Sequence, residues 1–417
     1  MDDTVRQRRR VGELDAVRGL AALAVVLGHL ALTLPAVDEA TRSHGLTPLN
    51  ALLYSPLYAV LDGSAAVVVF FVLSGYVLTL SYEGGRQTYA GFLVRRVARL
   101  WLPYMIAVAA AMLLASALGD SLVGSASHWF NARWQGSLGV GVILQHLSLI
   151  GHYNNNAQYV PVIWSLTDEM RISLVFPLLL AGVAFLGWRW SVAVAVLLVA
   201  VGLELSYKVT GDLATLEYVA CFIVGALLAT RHEAIAARLA RTTAAQRRTL
   251  VVAAVLLYTW AAWVPPSLLP HPLAKLATSQ ATIVLLETAA AALFIAIARY
   301  PGRARRLLLS AVPQYLGRIS YSLYLLHTVV LLTVIHVVDP SNVGLILALY
   351  PLVLILSIGL ADLSQRWVEL PAQRLGRRLA ARVEHREQHG PAELSGPERP
   401  AGLVEGPGAA PAHRVIV

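Results

Sequence analysis

Charge is scarce in this chain. Asp, Glu, Lys and Arg make up 14% of its 417 residues, against about a quarter in an ordinary soluble domain. Lysine is nearly missing: only Lys208 and Lys275 occur. The single cysteine, Cys221, excludes an intrachain disulfide and a CxxC metal site. No glycine-rich phosphate loop is visible, and neither a metal centre nor a permanently bound cofactor is expected. No soluble domain and no internal repeat stand out. The net charge is +9 and the pI about 9.8, yet nucleic acid is not an expected partner. The basic residues, almost all arginine, sit in short loops between apolar segments, as cytoplasmic loops of membrane proteins do.

What the chain has in excess is apolar surface. Hydrophobic residues make up 57% of it, and the mean hydropathy is +0.63. The composition predicts an all-α fold, a polytopic transmembrane bundle. Apolar segments recur at about Leu14–Leu34, Leu57–Tyr82, Trp101–Leu118, Trp164–Gly187, Ser191–Tyr207, Leu213–Thr230, Thr249–Val264, Ser279–Ala298, Ile319–Val338 and Val343–Ser364. A further one, Ser137–Ile150, is well under the roughly 20 residues that a span needs. Arginine-rich stretches at Arg6–Arg10, Arg86–Arg99, Arg231–Arg248, Arg299–Arg318 and Arg366–Arg378 mark one side of the membrane. For the crossings to connect these stretches, Ser137–Ile150 must not span. About ten spans are expected, with both termini cytoplasmic. The basic start leads into an apolar segment without a small-residue cleavage site, so that segment reads as a retained first span. Residues 1–12 are expected to be a basic cytoplasmic tail, 13–379 the transmembrane domain, and 380–417 a disordered cytoplasmic tail, since the last stretch has little to bury.

Ionisable groups interrupt the apolar segments. The first span, LDAVRGLAALAVVLGHL, carries Asp15, Arg18 and His29. Arg18 and His29 are eleven residues apart, about three helical turns, so they share a face about 16 Å apart along the axis. Asp15 lies three residues before Arg18, within side-chain reach. Such groups are expensive inside a membrane and read as a functional site; interfacial anchoring is the alternative for Asp15 and Arg18. In the second span Ser74-Gly75 reads as a close helix approach rather than a catalytic serine. Arg95, Arg96 and Arg99 cluster ahead of WLPY. Membrane orientation accounts for arginines in general, and bidentate recognition of a phosphorylated ligand also suits the cluster. His128, Trp129 and Trp134 read as interface anchors. Ser320, Tyr324 and His327 share a helix face, either for interhelical hydrogen bonding or to converge with the face of the first span. Glu369 reads as a helix-to-tail boundary residue paired with an arginine.

Six motifs in order resemble acyltransferase family 3, the integral membrane O-acyltransferases. LDAVRGLAALAVVLGH has Arg, ten residues, then His. FFVLSGYVL resembles the family's second-span motif and RRVARLWLPY its arginine-rich cytoplasmic motif. WSLTDE aligns with Trp-Ser-Leu-x-x-Glu, placing the family glutamate at Glu169. GRISYSLYLLH and WVELP resemble the closing motifs. The aromatic pair that often follows the glutamate is replaced by Ile172 and Ser173, and no fused esterase-like domain is present.

The resemblance covers about Leu14 to Leu379 and also implies ten spans. It implies transfer of an acyl group, often acetyl, from acyl-CoA to a hydroxyl of a glycan, lipid-linked sugar or secondary metabolite in a bacterial plasma membrane. On that reading His29, the general base, and Glu169 are the catalytic residues, with Glu169, placed near the far side, binding or orienting the acceptor. Arg18, Arg95, Arg96 and Arg99 bind the donor, while Asp15, Ser320, Tyr324 and His327 support the polar face. A transporter or flippase of a glycan or acyl donor is the competing expectation.

Overall fold

The computed structural model describes residues 11–42, 53, 55–83, 88–119, 121–135, 138–151, 158–260 and 270–389. The Arg6–Arg10 cluster, Arg86, Asn154, Asn155, Asn156 and the chain beyond 389 lie outside these residues. Among them every regular element is helical. In chain order the elements used below are α1 (Gly12–Leu32), α2 (Pro35–Arg42), α3 (Gly63–Glu83), α4 (Tyr89–Leu118), α5 (His128–Asn131), α6 (Val140–Leu147), α7 (Ile163–Lys208), α8 (Thr215–Thr230), α9 (His232–Ala240), α10 (Ala244–Tyr258), α11 (His271–Ala277), α12 (Gln280–Arg299), α13 (Arg303–Leu308), α14 (Ala311–Val338), α15 (Val343–Ser364) and α16 (Leu370–His389).

Seven of the described helices are long and apolar enough to cross a bilayer, and the α8–α9 pair, bent by 70°, makes an eighth. The 46-residue α7 is not one rod. Gly187 breaks it with φ 71 and ψ 170, a conformation open to glycine because it lacks a Cβ. The arms, 163–186 and 188–208, each reach the length that a crossing needs. The eight-residue α6 lies where the sequence indicated a segment too short to span. At 1.5 Å per residue it covers about 12 Å.

The centre of the bundle is α1 against α14. Gly19 and Gly317 meet there backbone to backbone. A Cβ on Gly19 would overlap the Gly317 nitrogen, and one on Gly317 would overlap the Asp15 carbonyl. Small residues at such a crossing let helices approach to backbone contact, which maximises dispersion where no water drives association. Ten residues further along, His29 meets His327. The offset between contacting residues is 298 at both places, so the two helices run parallel and in register.

Around this pair α3 packs on α8, α7 on α8, α15 on α14, and α16 along α4. The last pairing moves the expected start of the tail. Residues 380–389 continue α16 as helix, and Ala380 is fully buried. Ala372, Gly376 and Ala380 repeat every four residues and form a narrow face on α4, where a Cβ on Gly376 would lie 2.7 Å from the Ala98 Cβ. A stripe of Ala and Gly carries little hydropathy, so the apolar run ends in sequence before the packed helix ends in space.

The Gly19–Gly317 crossing is testable. Gly317→Leu overpacks it and is expected to destabilise by about 1–3 kcal/mol, lowering the temperature at which half the detergent-solubilised protein stays monodisperse. Gly359→Leu on α15, where a Cβ meets nothing within 4 Å, is the control and is expected to leave that temperature unchanged. Equal melting of the two variants overturns the central role of the crossing.

Candidate active site

Arg18 sits on the second turn of α1, and its guanidinium Nη1 lies 3.4 Å from the Asp15 carboxylate. It lines a cavity of about 120 Å³ between α1, α3, α4, α7 and α14. The same cavity is lined by Ser74, Arg96, Arg99, Glu169, Ser320 and Tyr324. Six of the ten residues expected at a site therefore converge on one space.

Arg96 and Glu169 form its buried ion pair. Arg96 also donates from Nε to Ser173 Oγ (2.9 Å), and Ser74 Oγ donates to Glu169 Oε1 (2.9 Å). Ser173, where the family more often has an aromatic residue, thus has a definite partner. Ser74 is part of the polar cluster rather than only a small residue, while its neighbour Gly75 does meet the Phe222 backbone as a close approach.

The location of Glu169 corrects the expectation that it stands near the far side with the acceptor. It lies on the arginine side, with Arg18, Arg96 and Arg99. The reason is where α7 starts: Val160, Val162 and Ile163 are already buried, so the helix begins inside the bundle rather than at its surface, and Glu169 falls deeper than an interfacial start implies.

Arg99 lines the cavity, and its Nε is buried without a hydrogen-bond partner. Below the cavity a second cleft of about 220 Å³ is lined by Ser81, Arg95, Arg96, Arg99, Gln373 and Arg377. Both spaces share Leu78, Ser81, Arg96 and Arg99, and guanidiniums outnumber carboxylates along them. This is a setting for an anionic ligand, and planar forked donors suit phosphate. Arg95 is the exception within the expected set. It forms a two-pronged pair with Glu384 of α16, at 2.8 and 3.2 Å, and so ties α4 to α16.

His29 is on the same face of α1 as Arg18 but beyond the cavity, one turn before the helix ends. Its Nδ1 is 3.0 Å from the Val25 carbonyl and 3.0 Å from His327 Nε2. His327 Nδ1 is in turn 3.0 Å from the Leu323 carbonyl. A carbonyl can only accept, so both Nδ1 atoms carry the proton when the rings are neutral. The single proton on His29 Nδ1 is then shared between the Val25 carbonyl and His327 Nε2, and the lone pair of His29 resides on Nε2. Tyr324 stands between the cavity and the imidazoles: it lines the cavity, and its ring centroid is 6.3 Å from that of His327. Its hydroxyl is 2.6 Å from Ser165 Oγ. Ser320 lines the cavity and donates to the Gly317 carbonyl, at 2.9 Å.

Sequence reasoning passed over Ser165 and Tyr321, although both lie in the quoted motifs. Ser165 is four residues before Glu169 and therefore on the same helix face. Tyr321 lines the cavity and donates to the Leu100 carbonyl at 2.8 Å. Trp134, expected at an interface, is 1% exposed and buried in the core. Glu369 ends a π-helical turn, Gln365–Glu369, and accepts from Ser322 (3.0 Å) and Gln373 (3.1 Å). One His-x-x-x-His spacing does occur, His385 to His389 at the end of α16. Among the described residues no group of three or more His, Cys, Asp or Glu gathers as a metal site.

The two ion pairs of α4 separate by burial. Glu169→Gln strands the Arg96 guanidinium in the bundle and is expected to cost about 3 kcal/mol, the low end for breaking a buried pair. Glu384→Gln breaks the partly exposed pair with Arg95 and is expected to cost about 1 kcal/mol or less. Thermal unfolding of both variants in one detergent decides this, and equal losses would contradict it.

Comparison with known proteins fits this arrangement to one group. No curated protein and no solved structure matches the chain. A family model described as an acyltransferase domain matches residues 11–362, a stretch that contains the side chains lining the 120 Å³ cavity and both imidazoles, but not Gln373 and Arg377 of the cleft below. The chain belongs to acyltransferase family 3 and is a multi-pass membrane acyltransferase that transfers groups other than aminoacyl.

Proposed function

We propose that the protein moves an acyl group, most simply acetyl, from acyl-CoA to a hydroxyl of a sugar, glycan or glycosylated metabolite at a bacterial plasma membrane. It crosses the membrane ten times with both termini in the cytoplasm. The two arms of α7 and the 15-residue α10 bring the apolar helices to that number. The parallel course of α1 and α14 agrees with it, since a first and a ninth span cross in the same direction.

The observation that carries the reading is the hydrogen-bonded imidazole pair. His327 accepts the Nδ1 proton of His29 and leaves Nε2 of His29 as the base. That atom takes the proton from the acceptor hydroxyl as its oxygen attacks the thioester carbonyl. The tetrahedral intermediate then expels the thiolate of CoA, which takes up a proton, and the acyl ester remains on the acceptor. His29 is the catalytic residue, and His327 is a positioning residue that fixes its tautomer. The donor enters from the cytoplasmic side. Arg96, Arg99 and Arg377 hold its phosphates in the lower cleft, and Arg18 lies on the way from the cavity to His29. Glu169 positions Arg96 and keeps a dense group of guanidiniums tolerable inside the bundle.

The test is turnover of labelled acetyl-CoA by purified protein in liposomes, with thioester hydrolysis as the readout when no acceptor is added. His29→Ala is expected to bind acetyl-CoA and to lose about 100-fold or more in rate, as removal of a general base does. Wild-type protein that neither binds nor consumes any short acyl-CoA overturns the donor assignment. In the same assay Arg99→Gln is expected to raise KM for acetyl-CoA by about tenfold with kcat little changed, the pattern of lost ground-state binding. A fall in kcat at constant KM would instead place Arg99 at the reacting atoms.

A further inference from the structure

The far side of His29 carries a second group of side chains that acyl transfer from CoA does not use. Trp129 packs its indole against the imidazole, with ring centroids 5.3 Å apart and planes tilted by 39°. The guanidinium carbon of Arg133 lies 5.2 Å from the centroid of the same indole. Arg133 Nε is buried and has no hydrogen-bond partner. The Trp129 indole thus contacts both the Arg133 guanidinium and the His29 imidazole.

The arrangement is built, not incidental. α5 is fixed to the end of α1 by two hydrogen bonds, Ser127 N to the Thr33 carbonyl (3.0 Å) and Ser127 Oγ to the Leu32 carbonyl (2.6 Å), and Ser127 Oγ also caps α5 by accepting from Phe130 N (3.1 Å). Trp129 N donates to Asp38 Oδ2 of α2 at 3.0 Å. Asp38 is also the carboxylate within electrostatic reach of Arg133. An interface anchor needs none of these attachments, and an anchor would face lipid rather than a catalytic imidazole.

We infer that Trp129 and Arg133 form the acceptor subsite, and that the acceptor is a sugar bearing an anionic group, a carboxylate or a phosphate. This rests on the acyl-transfer reading above. Arg133 and His29 both contact the Trp129 indole, so an anion held by Arg133 sets the sugar that carries it beside His29, with a ring hydroxyl within reach of Nε2. A buried guanidinium N–H without a partner is the feature such an anion completes. The donor and acceptor then approach from opposite ends of the α1 face, CoA past Arg18 and the sugar past Arg133.

The experiment compares acetyl transfer to matched neutral and acidic methyl glycosides in the gluco, galacto and manno series. Each series includes the neutral sugar, the uronate and the 6-phosphate, assayed with full-length protein in liposomes and acetyl-CoA. Wild type is expected to favour an acidic member over its neutral counterpart by about tenfold or more in kcat/KM, the worth of one charge-assisted hydrogen bond. Which acidic member wins distinguishes carboxylate from phosphate. Arg133→Gln is expected to abolish the ratio, and Arg133→Lys to restore part of it. A general loss of folded protein lowers both rates together and leaves the ratio unmoved. Equal use of acidic and neutral glycosides, no use of any acidic one, or a ratio that survives Arg133→Gln overturns the inference. If those outcomes come with acetyl-CoA hydrolysis that His29→Ala removes, only the acceptor assignment fails; if hydrolysis itself is absent, the acyl-transfer reading fails with it.

Discussion

Everything at the site depends on how closely α1 and α14 approach. Gly19 and Gly317 leave no room for a Cβ, so the two backbones touch, and the helices stay parallel and in register for ten residues. An imidazole side chain is short. His29 and His327 reach each other only because the axes are held that near. The same approach turns Ser320, Tyr321 and Tyr324 toward the space beneath Arg18. Packing at one glycine crossing therefore sets both the meeting of the two imidazoles and the lining of the cavity.

The second constraint is electrostatic. Arg18, Arg96 and Arg99 share one small cavity inside a bundle whose surroundings are apolar, where each ionised group carries a large desolvation penalty. The chain offsets it with Glu169, two serine hydroxyls and Asp15. These partners do not neutralise the cluster. The remaining positive charge is continuous with the cleft below through Arg96, Arg99 and Arg377. Arg95 shows the contrast: with Glu384 as its partner it joins α4 to α16 and carries structure.

Much of this was legible in the residue order. Apolar segment length gave the helical bundle, and α6 is as short as its apolar stretch indicated. The eleven-residue interval put Arg18 and His29 on one face, and the four- and three-residue intervals put Ser320, Tyr324 and His327 on another. Periodicity within one helix is a local property, and side-chain direction follows from it. Where a helix begins relative to the bundle is not local. Glu169 was misplaced because α7 starts among buried residues, and the boundary at residue 380 was early because α16 packs through Ala and Gly, which carry almost no hydropathy.

The sequence by itself determined the class of the molecule, the polar faces and, through the order of its motifs, the family. Those follow from composition and from spacing along single helices, which need no neighbour to be read. Only the tertiary structure decided which polar faces meet. It joined His29 to His327, gave Glu169 to Arg96, gave Arg95 to Glu384 and laid Trp129 against His29. These pairings link residues tens to hundreds of positions apart. They are fixed by which helix surfaces are small enough to touch, a property of two sequences taken together that neither segment displays alone.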